Sequence, residues 1–95
     1  MKIGIIGLGY VGLTFAALAA YKGVSIVALE KNKEIKKSLK NKKAHFFEPG
    51  LDAMLESLID RKIFIKDSFD IDNKNVDGFF ITVGTPLIDN SKTPN

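Results

Sequence analysis

The sequence predicts an α/β fold, a parallel sheet flanked by helices with spatial strand order 3-2-1-4, as in the first half of a doubly wound architecture. Three observations carry this expectation. Short apolar runs alternate with helix-like segments along the 95 residues. A glycine-rich turn, Gly7-Leu8-Gly9-Tyr10-Val11-Gly12, joins the first run to the first helix. The β-favouring runs also lack the polar alternation of a sheet with one wet face, as expected when helices cover both faces.

Taken in order, Lys2–Ile6 is rich in isoleucine and reads as the first strand. Tyr10–Tyr21 follows with helix formers and apolar residues almost all round, the pattern of a buried helix. Gly23 stands where a helix-ending glycine belongs, and Ser25–Leu29 reads as the second strand, closing at Glu30. Residues 31–43 hold seven lysines and one glutamate, with Ile35 and Leu39 as the inward stripe of a short, mostly solvated helix. A further helix is expected over residues 50–60. Pro49 suits its first turn, Glu48 lies beside its positive end, and Leu51, Met54, Leu55, Leu58 and Ile59 recur at the spacing of one buried face. Residues 63–65 and 78–83 read as the third and fourth strands. The stretch between them, rich in aspartate and asparagine, is expected to form turns with at most one helical turn, and residues 87–95 are expected to fray.

Composition narrows the function classes. At 45% hydrophobic and 26% charged residues the chain is that of a globular protein, and 95 residues allow one compact domain. The net charge of +3 does not call for a nucleic-acid partner, and the lysine run carries no interleaved aromatics for base stacking. With no cysteine there is no disulfide, thiolate metal site or cysteine nucleophile, in keeping with a reducing compartment. The uncharged run from Ile3 to Tyr21 imitates a signal peptide, yet four glycines divide its first half into strand, turn and helix. A cytoplasmic chain with no membrane segment is therefore expected. The single histidine, His45, sits beside Phe46 and Phe47 with no paired acid or ligand spacing, so it reads as a packed loop residue and no metal site is expected.

The glycine turn is the strongest chemical signal. Gly7 permits a tight exit from the strand, Gly9 lets a pyrophosphate approach the backbone, and Gly12 allows close packing of helix on strand. The free N–H groups near Tyr10 and Val11 then face the phosphates at the positive end of the helix. Glu30, 18 residues beyond Gly12, stands where an acid can accept hydrogen bonds from the adenosine ribose and repel a 2′-phosphate, which favours NAD over NADP, although Lys31 and Lys33 next to it could partly offset the repulsion. Val83, Gly84 and Thr85 fall on the other side of the switch point and could line the same crevice. A structural turn, a solvated strand-end acid and a plain strand-ending turn are the respective alternatives, and all three stay open from the residues alone.

Three segments in this order, Lys2 to Leu13, Phe47-Glu48-Pro49-Gly50-Leu51 and Val83-Gly84-Thr85-Pro86, make the chain resemble the N-terminal domain of the UDP-glucose/GDP-mannose dehydrogenase family. The resemblance covers nearly the whole sequence. It implies a partial Rossmann-like domain, residues 1–95, from a longer, homo-oligomeric enzyme. Such enzymes oxidise the C6 hydroxyl of a UDP- or GDP-sugar to a carboxylate with two NAD per turnover, through a cysteine-bound intermediate. Carried over by position, Gly7, Gly9, Tyr10, Val11 and Gly12 hold the pyrophosphate, Glu30 the adenosine ribose, and Val83, Gly84 and Thr85 line the NAD site. The family more often has aspartate at position 30 and a basic residue at position 35, where this chain has isoleucine. Its catalytic cysteine, lysine, asparagine and aspartate come from later segments, so no catalytic residue is expected here and the piece alone should be inactive. Two other readings are a nucleotide-sensing regulatory module without catalysis and the cofactor domain of a β-hydroxyacid dehydrogenase.

Overall fold

The computed structural model describes residues 1–67 and 76–82. Its elements are β1 (Lys2–Ile6), α1 (Tyr10–Tyr21), β2 (Ser25–Leu29), α2 (Lys33–Lys40), α3 (Leu51–Leu58), β3 (Ile63–Lys66) and β4 (Gly78–Ile81). The four strands form one parallel sheet in the order β3-β2-β1-β4, as the sequence predicts. The turns expected between residues 67 and 77 and the fraying of residues 87–95 fall mostly or wholly outside the described residues.

Register sorts the apolar side chains by face. Ile3 and Ile5 pair with Ile26 and Ala28, these with Ile63 and Ile65, and Ile5 also with Phe80, so period-two alternation puts all of them on one side. There they join Leu13, Ala16, Ala17 and Ala20 of α1, Leu39 of α2 and Leu51, Leu55 and Leu58 of α3 in a single core cluster. The alanines let α1 lie close on the sheet, and Ile5, Leu13, Leu39, Leu55 and Ile63 are wholly buried. The opposite face carries Gly4, Val27, Phe79 and Ile81. The Phe79 ring lies over Gly4, and Phe79 and Ile81 remain exposed. Among the described residues no helix covers this side.

Three local departures have physical causes. The helix α1 is not buried all round: Val11, Phe15 and Leu18, spaced at i, i+4 and i+7, form an exposed apolar stripe, with Phe15 stacked on Phe80 at 4.3 Å. The helix α3 begins at Leu51 with Gly50 as its left-handed cap, so Pro49 lies ahead of the helix instead of in its first turn, while Glu48 stays just ahead of the positive end, as the sequence predicts. The strand β4 stops at Ile81, because Thr82, still bonded through its N–H to the Ile6 carbonyl, turns its side chain to Gly7.

The end of α1 and the face of α2 follow the sequence closely. Val24 N–H bonds the Ala19 carbonyl and Gly23 N–H the Ala20 carbonyl, with Gly23 at φ 102°, the paired bonds of a Schellman turn that delivers the chain into β2. Asn32 caps α2 by accepting from Ile35 N–H at 3.0 Å, Leu39 anchors it, and its lysines face outward. A hollow of about 480 Å³ beside α2, bordered by Lys36, Lys40, Asp60 and Asp67, lies away from the glycine turn. Lys36 bonds Asp67 at 2.8 Å there and holds its carboxyl below the ordinary carboxylate range. Such an exposed pair adds little to stability.

Truncating a wholly buried core side chain far from the glycine turn separates folding from binding. Leu55→Ala is expected to destabilise the fold by about 2–5 kcal/mol, measured by thermal or urea unfolding, because the cavity beneath α3 collapses only partly.

Candidate functional site

The site forms where β1 hands over to α1. Leu8, wholly buried, pins the middle of the glycine turn to the core. Gly7, at φ 96°, occupies the left-handed region, and a Cβ there would collide with the Thr82 carbonyl. A Cβ on Gly12 would strike the Gly7 carbonyl oxygen and approach Thr82 Oγ1 to 2.5 Å. The Thr82 hydroxyl donates to that same Gly7 carbonyl at 2.8 Å. Turn, helix and β4 thus meet with no space for side-chain carbon between them.

Gly9 is different. Its backbone, φ −69° and ψ −162°, suits any residue, and a Cβ there meets no atom within 4 Å. Nothing inside the described chain requires glycine at this position. What a side chain would obstruct is the space beside the opening of α1. Gly9 caps α1 with no side-chain hydrogen bond, and the first turn holds no acidic residue. Among the described residues no acceptor takes the N–H groups of Gly9, Tyr10, Val11 and Gly12. A glycine cap forgoes only about a few tenths of a kcal/mol relative to serine or aspartate, and it leaves a cluster of donors at the positive end of a dipole.

Glu30 closes the site on the β2 side. Its Oε1 accepts from Leu8 N–H at 2.7 Å and its Oε2 from Asn32 N–H at 2.8 Å. The carboxylate therefore stands beside the glycine turn, where the sequence places it. Both oxygens are held, and each keeps a second lone pair to accept a further donor.

The loop between α2 and α3 leans on the same corner. Tyr10 stacks against Phe46 at 5.0 Å, and its hydroxyl donates to Glu48 Oε1 at 3.3 Å. His45 packs edge-on against Phe46 at 4.8 Å, although the residue as a whole is solvent-exposed. Partial burial pushes the imidazole below 6.5, opposed by the nearby charge of Glu30. Ile35 packs against the core and Lys36 is paired with Asp67, so neither places a basic group at the turn. Val83, Gly84 and Thr85 lie outside the described residues. Among the described residues no group of three or more metal-ligating side chains forms, and no helix is long and apolar enough to cross a membrane.

The structure thus brings together Gly7, Gly9, Tyr10, Val11, Gly12 and Glu30. Sequence reasoning missed Thr82, Asn32 and the Glu48 contact. Thr82 was within reach: once β1 ends at Ile6 and pairs in parallel with β4, the residue after Ile81 must fall opposite Gly7. The contacts of Asn32 N–H and Glu48 depend on how loops close, which no residue pattern encodes.

A glycine turn with unoccupied amides, leading from the central strand of a parallel sheet and flanked by a strand-end acid, defines a dinucleotide-binding α/β domain. The chain matches the UDP-glucose/GDP-mannose dehydrogenase family, NAD binding domain, over residues 1–94. It belongs to that family, whose NAD-binding domain it represents. It is 36% identical over 88 residues to the UDP-glucose 6-dehydrogenase of Rickettsia typhi, which covers 90% of this chain and 20% of that protein. To the UDP-N-acetyl-D-mannosamine dehydrogenase of Pyrococcus horikoshii it is 34% identical over 88 residues, 92% of this chain and 21% of the other. Among solved structures, the GDP-mannose dehydrogenase of Pseudomonas aeruginosa superposes with a TM-score of 0.81 at 30% identity over 90% of this chain and 20% of that one. The chain spans about one fifth of the length of these relatives.

Two outcomes separate the glycines. Gly12→Ala is expected to cost about 1–3 kcal/mol or more in unfolding experiments, because backbone atoms must give way. Gly9→Ala should stay within about 1 kcal/mol of the parent, the difference between glycine and alanine as a helix cap. For His45, the depressed pKa means the neutral ring favours the folded state. That contribution is complete above 6.5 and is lost as pH falls through the lower folded value. Thermal melts at stepped pH should show a shallower acid-side decline for His45→Gln than for the parent.

Proposed function

We propose that this chain binds NAD with the pyrophosphate on the main-chain N–H groups of Gly9, Tyr10, Val11 and Gly12 and the adenosine ribose on Glu30. Gly7 supports the site by shaping the turn. Val83, Gly84 and Thr85 complete the crevice on the β4 side in this reading. The observation that carries it is the open position at Gly9, where a Cβ would project into free space beside amides that the described protein leaves without acceptors. A purely structural turn has no use for that combination.

NAD bound there supplies a hydride acceptor. The chain's own part is to bind and orient. The amides neutralise phosphate charge without a basic side chain, and Glu30 offers one remaining lone pair per oxygen to the two ribose hydroxyls. The sequence has no cysteine, so the thiol used in the family's chemistry is not in these residues. We propose that residues 1–95 are the N-terminal part of a longer cytoplasmic, homo-oligomeric nucleotide-sugar dehydrogenase. That enzyme oxidises the C6 hydroxyl of a UDP- or GDP-sugar to a carboxylate, and this piece alone is inactive. Family membership and relatives named for UDP-glucose, UDP-N-acetyl-D-mannosamine and GDP-mannose support this reading.

Titrating the ¹⁵N-labelled chain with NAD⁺ to millimolar concentration tests the site. Saturable shifts at Gly9 to Gly12 are expected, and Glu30→Ala should weaken binding by about tenfold or more through the lost charge-assisted bonds. Unmoved amides across the turn would refute the assignment.

A further inference from the structure

Glu30 is a strand-end acid that does not hang free. Its carboxylate bridges two main-chain donors on different elements, Leu8 N–H in the glycine turn at 2.7 Å and Asn32 N–H at the start of α2 at 2.8 Å. Asn32 is itself fixed: its side chain accepts from Ile35 N–H at 3.0 Å, its carbonyl accepts from Lys36 N–H at 3.0 Å, and its φ of −71° and ψ of 118° are those of a helix cap. The capping geometry aims the Asn32 amide back at Glu30. We infer that Asn32 is a positioning residue for the dinucleotide: its main-chain N–H is the second arm of a clamp that immobilises the Glu30 carboxylate and thereby sets discrimination against a 2′-phosphorylated ribose.

The physical case rests on rotamer freedom. A glutamate has three side-chain torsions, and one held at a single point can swing its charge aside to admit a phosphate. Held at both oxygens, it cannot turn away without breaking two charge-assisted hydrogen bonds. The charge then stays where a 2′-phosphate would sit, while the lone pairs left over still accept from ribose hydroxyls. Ile35 packs against the core and Lys36 is engaged with Asp67, so neither offers a countercharge at this position; Lys31 and Lys33, exposed beside Asn32, are present in parent and variants alike.

This inference rests on the proposed placement of the ribose at Glu30, and the experiment tells the two apart. Asn32→Ala removes the side-chain cap but keeps the N–H. Asn32→Pro, whose ring matches the native φ of −71°, removes the cap and the N–H together. Both variants lose the same helix cap, so any further difference between them reports the amide that holds Glu30. Affinities for NAD⁺ and NADP⁺ are measured by amide shifts in parent and variants, with thermal melts alongside. The NAD⁺ to NADP⁺ affinity ratio is expected to be about tenfold smaller in Asn32→Pro than in Asn32→Ala, the scale of one charge-assisted bond. Equal ratios in the two variants, with NAD⁺ still bound by the parent, overturn the clamp and leave the site standing. A parent that binds neither dinucleotide overturns both.

Discussion

Everything at the end of this domain where β1 meets α1 depends on the absence of two β-carbons. With only hydrogens on Gly7 and Gly12, the Gly7 carbonyl, the first turn of α1 and the Thr82 side chain occupy one small volume, tied by the 2.8 Å bond from the Thr82 hydroxyl. That approach fixes where α1 begins and how its axis meets the sheet. The direction of its open N–H groups follows from the axis, so the capacity to hold an anion is a consequence of packing more than of any reactive side chain.

The second constraint is electrostatic and links elements that packing alone would leave independent. Through Glu30 a single carboxylate ties the glycine turn to the start of α2, while Tyr10 ties the start of α1 to the loop before α3 through Phe46 and Glu48. The opening of α1 is thus braced from both sides by contacts made beside it, and it stays clear of side chains within itself. This separation lets the first turn of α1 remain without a cap while the surrounding backbone is ordered.

Most of this was legible in the sequence because it follows from local rules. Strand order came from the alternation of apolar runs and helices, the end of α1 from Gly23, and the placement of Glu30 from its distance beyond the glycine turn and its position closing β2. The turn at Gly7 and the close packing at Gly12 were also legible, whereas the contact of Gly7 with Thr82 was not. The misreadings have one origin. Pro49 reads as a first-turn residue, yet Gly50 takes the capping position and the helix opens at Leu51; Glu48 lies just ahead of that end, as read, but its side chain meets Tyr10 from 38 residues away. Thr82 looked like one more strand residue, and its role appears only when β4 lies against β1. Contacts between residues far apart in the chain are set by tertiary closure, which periodicity does not record.

The bond between Thr82 and Gly7 also bears on the order of assembly. It joins residues 75 apart, whereas β1, α1 and β2 form a contiguous unit within the first 29 residues. Local pairing carries a small loop-closure entropy and the docking of β4 a larger one, so the early unit can nucleate before β4 arrives. Until that docking occurs, the Gly7 carbonyl lacks its hydroxyl partner and the turn lacks one wall. Kinetically, the wall that Thr82 gives the glycine turn is expected to form after the β1-α1-β2 unit.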